Sequence, residues 1–142
     1  MNRTPPVVLI YGLLGMIPFV APPLIGALFP ATKASAASLL ALYGGLILSF
    51  LGGARWAFAN AHPPTKQGVV SLSMLPTLVA LALLALPPAA RLAQLIGLAA
   101  ALALHWAWDL LGADLPQWYG RLRSLLTAGA VAGLLAGAIV LT

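Results

Sequence analysis

The stretch that decides the fold is SLLALYGGLILSFLGGARWAFA, residues 38–59. It is almost entirely apolar and carries a single charge, Arg55, close to its carboxyl end. A helix of about 20 apolar residues is long enough to cross the hydrocarbon core of a bilayer. The segment therefore predicts a membrane-spanning helix that holds an arginine near one membrane surface.

The rest of the chain has the same apolar character. Of its 142 residues, 62% are hydrophobic and 6% are charged, whereas a soluble domain carries about 25% charged residues. So few charged side chains cannot cover a water-exposed surface, and we expect an all-α integral membrane protein. The formal net charge of +5 comes from basic residues near the ends of apolar segments. That placement indicates contact with anionic lipids rather than nucleic acid.

Five apolar segments are long enough to span a membrane, and short loops rich in proline or glycine separate them. Helices joined by short loops become antiparallel neighbours. We therefore expect one domain over residues 1–142, a compact bundle of five transmembrane helices. The first segment is interpreted as a spanning helix rather than a cleaved signal peptide. Pro18, Pro22 and Pro23 should kink or break it, and Pro76 should bend the third helix. The approximate spans are residues 7–29, 38–59, 69–86, 92–111 and 122–141.

The basic residues predict the orientation of the chain. Five of them fall on the side of the N-terminus and two fall on the other side. Because cytoplasmic loops carry an excess of lysine and arginine, this distribution places the N-terminus inside and the C-terminus outside. Arg121 and Arg123, at the start of the fifth segment, are expected to orient the chain and to bind lipid phosphates. The N-terminal side carries Arg3, Arg55, Lys66, Arg121 and Arg123, and the other side carries Lys33 and Arg91.

Small residues recur at every fourth position on two of the predicted helices, so each row lies on one helical face. Where side chains are absent, a second backbone can approach closely. Either the rows are used for packing within the chain, where they could face each other, or one of them serves a dimer. We favour the first use. The fifth segment has Gly129, Gly133 and Gly137, and the second has Gly45, Ser49 and Gly53.

The chain contains only two acidic residues, Asp109 and Asp114. The second and fourth predicted helices end at the same face, so Arg55 and Asp109 should lie at a similar depth. A buried charge without a partner costs several kcal/mol, so we favour an ion pair between these two side chains. In the alternative, Arg55 reaches the lipid phosphates alone.

His105 lies four residues before Asp109, so the two side chains share one face of the fourth helix. Such a pair suits a proton relay, a metal or haem ligand, a hydrogen bond to a ligand, or a buried histidine that the carboxylate satisfies. One pair offers too few ligands for a metal site, and His62 falls in a loop. We therefore predict no metal, and the sequence identifies no cofactor.

Aromatic residues gather toward the same face, which suits either the headgroup zone of a bilayer or an aromatic-lined pocket. They are Trp56, Trp106, Trp108, Trp118 and Tyr119. Together with the charged residues they define a candidate ligand-binding set. Its members are Arg55, Trp56, His105, Trp108, Asp109 and Trp118.

Three stretches carry a family resemblance: YGLLGMIPFV (11–20), YGGLILSFLGGARWAFA (43–59) and LPQWYGRLRSLLT (115–127). They resemble the domain-of-unknown-function family of small membrane proteins that includes transmembrane protein 69. In that family a histidine typically stands where this chain has Arg55. The resemblance implies a multi-span protein of the bacterial inner membrane or of mitochondria, and we expect the bacterial inner membrane. A looser likeness, in helix number, size and tryptophan content, is to the tryptophan-rich sensory protein family, associated with porphyrin and sterol ligands.

The leading functional hypothesis is the binding of an amphipathic small molecule, such as a lipid, a quinone or a tetrapyrrole, near the inner face. Aromatic rings would contact its apolar body, while Arg55, His105 and Asp109 would meet its polar end. The alternative is a non-catalytic accessory or assembly subunit of a larger membrane complex, with the glycine row as its interface. No catalytic motif is recognisable, so an enzyme built on His105 and Asp109 is only a third hypothesis. Expected partners are membrane lipids, the ligand, and a second membrane protein or copy of the chain.

Overall fold

The computed structural model describes residues 3–112 and 115–142. In these two ranges the chain folds into α-helices joined by short turns, and the expected all-α bundle is confirmed. Five helical stretches are long and apolar enough to cross a membrane: Pro6–Leu28, Pro30–Ala61, Gln67–Leu84, Pro88–Gly112 and Gln117–Val140. The α-helices are α1 (Pro6–Leu14), α2 (Ile17–Leu28), α3 (Lys33–Ala61), α4 (Gln67–Leu72), α5 (Leu75–Leu84), α6 (Arg91–Gly112) and α7 (Gln117–Val140).

Two helices begin about one turn earlier than predicted. Helix α3 starts at Lys33 and α7 starts at Gln117, directly after Pro116. The prediction followed the apolar residues, but a helix depends on its backbone and continues through polar residues at a membrane surface. As a consequence, Arg121 lies inside α7 rather than before it, and Arg123 lies in the second turn rather than at the first residues of the helix.

The first and third spans are each divided shortly before a proline. Helix α1 ends before Gly15 and α2 begins at Ile17, while α4 ends before Ser73 and α5 begins at Leu75. Pro18 and Pro76 therefore occupy the first turns of new helices, where a missing backbone N–H does no harm. The expectation that the first span is kinked or broken is confirmed as a slight bend. It falls before Pro18, while Pro22 and Pro23 continue inside α2.

The break in the first span is held by the second span. The hydroxyl of Tyr43 on α3 donates a hydrogen bond of 2.7 Å to the backbone carbonyl of Gly15. The ring of Tyr43 also packs edge-on against Phe19, with the ring centroids 4.9 Å apart. A backbone carbonyl outside a regular helix needs such a hydrogen-bond donor inside the membrane, because no water is available there.

The glycine row of α7 packs against the first two spans. A Cβ atom built at Gly129 would collide with the side chain of Met16. One built at Gly133 would collide with the backbone carbonyl of Phe19, and one at Gly137 would collide with the side chain of Leu40. The small residues therefore allow α2 and α3 to approach α7 closely.

The row on α3 does not face the row on α7. A Cβ atom at Gly45 would meet Leu84 of α5, whereas Gly53 has no atom within 4 Å of its Cβ position. The close approach on this part of α3 is made by Gly52, whose Cβ position lies 2.8 Å from the carbonyl oxygen of Ser73. The side of α3 that packs closely against its neighbours therefore includes Gly45 and Gly52 but not Gly53.

Leucine and alanine side chains of α3, α6 and α7 fill the centre of the bundle. The fully buried ones include Leu40, Leu48, Leu95, Leu98, Leu102 and Leu134. Helix α1, by contrast, has no buried residue, so the first half of the first span lies on the periphery. The polar cluster described below lies beside this core, toward the end of the bundle where α1 begins, which we call the N-terminal face.

Candidate ligand-binding site

Three helices bring charged side chains together inside the bundle: α3 carries Arg55, α6 carries Asp109 and α7 carries Arg123. Each residue lies within two helical turns of the helix end at the N-terminal face. Their exposed fractions are 6%, 4% and 5%, so all three are more than nine-tenths buried. The expectation that Arg123 binds lipid phosphates at the surface is wrong. Because α7 begins at Gln117, this arginine falls in its second turn and faces α6.

Asp109 is shared between the two arginines. Its Oδ2 accepts a hydrogen bond of 3.1 Å from Nε of Arg123. Its Oδ1 lies 3.6 Å from Nε of Arg55, which is an ion pair without a hydrogen bond. Arg123 also donates from Nη1 to Oγ1 of Thr127 at 2.8 Å. The predicted pairing of Arg55 with Asp109 is therefore present, and the structure adds a second arginine to it.

These three groups carry one unbalanced positive charge, since two guanidinium groups face one carboxylate. Three of their buried polar atoms have no hydrogen-bond partner among the described residues: Nε of Arg55, Nη2 of Arg123 and Oδ1 of Asp109. At the opposite face Arg91 is better satisfied, because it donates to both Gln94 and Ser38. The cluster near the N-terminal face thus retains unused hydrogen-bonding capacity in a low-dielectric setting.

His105 lies one turn deeper on α6 and is 4% exposed. Neither of its ring nitrogens has a hydrogen-bond partner in the part of the chain that the structure describes. The interpretation that Asp109 satisfies this ring is wrong, because the two arginines hold the carboxylate. A neutral imidazole always carries one N–H donor and one acceptor nitrogen, so His105 has both left for another molecule.

Trp108 links the charged cluster to the histidine. The guanidinium carbon of Arg55 lies 4.1 Å from the centroid of the Trp108 ring, a cation–π contact. The ring of His105 lies on Trp108 as well, with the centroids 5.4 Å apart. Arg55 and Trp108 are therefore held as a stacked pair between α3 and α6.

A cavity adjoins each member of this stacked pair. One of about 270 Å³ is lined by Arg55, Asp109, Pro116 and Tyr119, together with apolar residues of α3. The other, of about 340 Å³, is lined by His105, Trp108, Pro76 and apolar side chains of α3 to α6. Arg55 thus lines the charged cavity and its stacking partner Trp108 lines the apolar one. An amphipathic molecule needs one charged and one apolar contact surface of this kind.

Two of the candidate residues lie elsewhere. Trp56 is 47% exposed, although it follows Arg55 directly. Trp118 is half-buried and packs against Tyr119, and it lines neither cavity. Both positions suit the headgroup zone. Asp114 lies outside the described residues.

The predicted ligand-binding set lacked Arg123 and Thr127, and it left out Tyr119, which the sequence had placed only among the aromatic residues at this face. The spacing of four between Arg123 and Thr127 was the available signal, because it puts both on one face of a helix that starts after Pro116. For the described ranges, no three His, Cys, Asp or Glu side chains lie close enough together to hold a metal ion.

The fold and the site define a small multi-pass helical membrane protein with a buried Arg–Asp–Arg cluster, two members of which line a charged cavity. Residues 4–139 match the family described as Protein of unknown function (DUF3429), and the chain belongs to that family. It is 38% identical over 143 residues to transmembrane protein 69 of Xenopus tropicalis, a match that covers 98% of this chain and 56% of that protein. The chain thus spans about half the length of this curated relative. No solved structure matches the chain. The family resemblance drawn from the sequence is confirmed.

Proposed function

We propose that this protein binds an amphipathic small molecule at the junction of the two cavities. The apolar body of the molecule lies against Trp108 and His105, and its polar end meets Arg55. One observation carries the proposal: within residues 3–112 and 115–142, buried donors of Arg55, Arg123 and His105 lack partners, and two of these residues line the cavities. A buried polar group left unsatisfied costs about 1–3 kcal/mol, so a bound molecule that pairs with these atoms stabilises the fold.

The cavity sizes support a molecule of moderate dimensions. Ligand pockets in proteins have volumes of about 300–1,000 Å³. The apolar cavity of about 340 Å³ lies at the lower end of that range, and the charged cavity of about 270 Å³ lies just below it. This favours a single-chain lipid or a quinone head over a larger tetrapyrrole.

We further propose that the N-terminal face is the cytoplasmic face of a bacterial inner membrane. Arg55 and Arg123 are buried inside the bundle, so they do not act as surface charges. Three basic residues then remain on the N-terminal side, against two on the other side. The excess still favours a cytoplasmic N-terminus, with a smaller margin than the sequence indicated.

The accessory-subunit hypothesis depended on a free glycine row on α7. That row is occupied by Met16, Phe19 and Leu40 of the same chain. Its use within the chain removes the observation that motivated the hypothesis. A stable complex with foreign subunits therefore serves below as an outcome that counts against the binding function.

The test compares the molecules that copurify with the wild type and with Arg55→Ala and His105→Ala. The protein is purified from its own membranes in a neutral detergent, extracted with organic solvent, and the extract is quantified by mass spectrometry. We expect one molecule in near-stoichiometric amount with the wild type, reduced about tenfold or more in both variants because each removes a charged or polar contact.

Trp56→Ala is the matched control, since this exposed neighbour of Arg55 lines neither cavity. It should retain the molecule at the wild-type level. Identical extracts from all four proteins would contradict the proposed function. So would the recovery of foreign subunits with the wild type and no enriched small molecule.

A further inference from the structure

We infer that the polar end of the bound molecule is a singly charged acid, a carboxylate or a phosphodiester, seated between Arg55 and Arg123. This inference rests on the proposed function and narrows it to one class of ligand. The class excludes neutral quinones and neutral lipids. It also excludes a tetrapyrrole that carries two carboxylates.

The first argument is the charge balance. Among the described residues, two guanidinium groups and one carboxylate, all more than nine-tenths buried, leave one positive charge uncompensated. An unpaired charge in the interior is strongly destabilising, and a single anion removes that penalty. A neutral ligand leaves the positive charge in place, and a dianion replaces it with a negative one.

The second argument is which N–H groups of the two arginines already have a partner. Asp109 contacts both arginines at their Nε atoms. Its Oδ1 lies 3.6 Å from Nε of Arg55, and its Oδ2 lies 3.1 Å from Nε of Arg123. Thr127 accepts from Nη1 of Arg123, and Nη2 of the same guanidinium remains buried without a partner. Guanidinium groups present paired N–H donors that match the two oxygens of a carboxylate or phosphodiester. Asp109 thus contacts both arginines through Nε, and Nη2 of Arg123 remains as a buried donor for an oxyanion.

The third argument concerns the rest of the ligand. Apart from His105 and Trp108, the side chains that line the apolar cavity are aliphatic, and the Trp108 ring also contacts the guanidinium group of Arg55. A volume of about 340 Å³ suits one hydrocarbon chain. The predicted class is therefore a single-chain acidic amphiphile, such as a fatty acid or a lysophospholipid with an anionic phosphodiester.

The test uses defined probes on protein stripped of lipid by detergent exchange. Dodecanoic acid and dodecanol have the same chain and differ in charge. Lysophosphatidylglycerol and lysophosphatidylcholine form a second pair, in which only the first has a net negative charge. Native mass spectrometry in a neutral detergent gives the occupancy for each probe. We expect the acidic member of at least one pair to bind about tenfold or more tightly than its partner. The pair that shows the preference identifies the acid as a carboxylate or a phosphodiester.

Arg123→Gln should abolish the preference for the acid and leave alcohol binding unchanged, because it leaves a neutral pair of Arg55 and Asp109. Arg55→Gln provides a second variant with the same expected loss. Arg91→Gln is the matched control, since Arg91 lies at the opposite face with its own partners, and it should keep the preference. A preference that survives both Arg123→Gln and Arg55→Gln would overturn the inference.

Asp114, the other acid of the chain, is tested in the same way. If Asp114→Asn creates an acid preference that the wild type lacks, then Asp114 supplies the balancing charge and the inference is overturned. Equal binding of acids and neutral partners by the wild type also overturns it. The proposed function survives that second result if Ala101→Phe, which fills the apolar cavity, weakens every probe. If no probe binds at all, the inference and the proposed function both fail.

Discussion

Replacing Asp109 by asparagine is expected to lower the free energy of unfolding by about 3–5 kcal/mol, the usual effect of breaking a buried ion pair. Asparagine has the same shape as aspartate, so packing is preserved and only the charge is lost. Two buried guanidinium groups then face each other without an acid between them. Reversible unfolding in mixed micelles with increasing denaturing detergent measures the change.

Arg123→Met is the matched comparison for Asp109→Asn. It removes one arginine but leaves a neutral pair of Arg55 and Asp109, so its effect should be clearly smaller. Combining both substitutions lowers the number of unpaired arginines from two to one and should recover part of the stability lost in Asp109→Asn. If Asp109→Asn were no more damaging than Arg123→Met, the carboxylate would not be holding the cluster together.

Replacing Gly133 by alanine is expected to destabilise the bundle by about 1–3 kcal/mol, the range for overpacking a filled interior. The added Cβ atom would collide with the backbone carbonyl of Phe19, which cannot rotate away as a side chain does. Pro23 lacks the N–H that would bond to this carbonyl within α2, which leaves the oxygen directed at α7. The same mixed-micelle unfolding experiment gives the size of the effect.

Gly53→Ala is the matched control, because the Cβ position of Gly53 has no atom within 4 Å. Alanine forms helix better than glycine by about 1 kcal/mol, so this variant should be neutral or slightly stabilised. If Gly133→Ala and Gly53→Ala destabilised the protein equally, the close approach of α2 would not be the reason for glycine in the α7 row. Helix propensity or lipid contact would then explain the effect.

Much of the fold was predictable because hydropathy alone determines where a chain crosses a bilayer. The five spans and the break near Pro18 followed from apolar length and from the chemistry of proline. The start of α7 did not follow, because Gln117 and Arg121 are polar and yet belong to the helix. The partner of each glycine row was also unpredictable, since it depends on how each helix is rotated about its axis.

The site could be predicted only for residues whose depth in the membrane follows from the length of their helix. Arg55 and Asp109 lie near the carboxyl ends of two neighbouring spans that run in the same direction, and their pairing followed from that. The burial of Arg123 was not predicted, because the helix was expected to start later than α7 does. The lack of a hydrogen bond to His105 could not be foreseen. It depends on the two arginines, rather than the histidine, pairing with Asp109. The proximity of Arg55 to the Trp108 ring likewise depends on the side-chain rotamers.

The central claim is that a small molecule occupies the cavity beside Trp108, and native mass spectrometry of wild type and Ala101→Phe tests it most directly. Ala101 lines the apolar cavity and not the charged one, so phenylalanine should fill the apolar space and leave the charged cluster intact. Ala57→Phe, on an exposed position that lines neither cavity, is the control. We expect the wild type and Ala57→Phe to carry one added small-molecule mass that Ala101→Phe has lost. A wild-type protein without added mass, or an added mass that Ala101→Phe retains in full, would contradict the account.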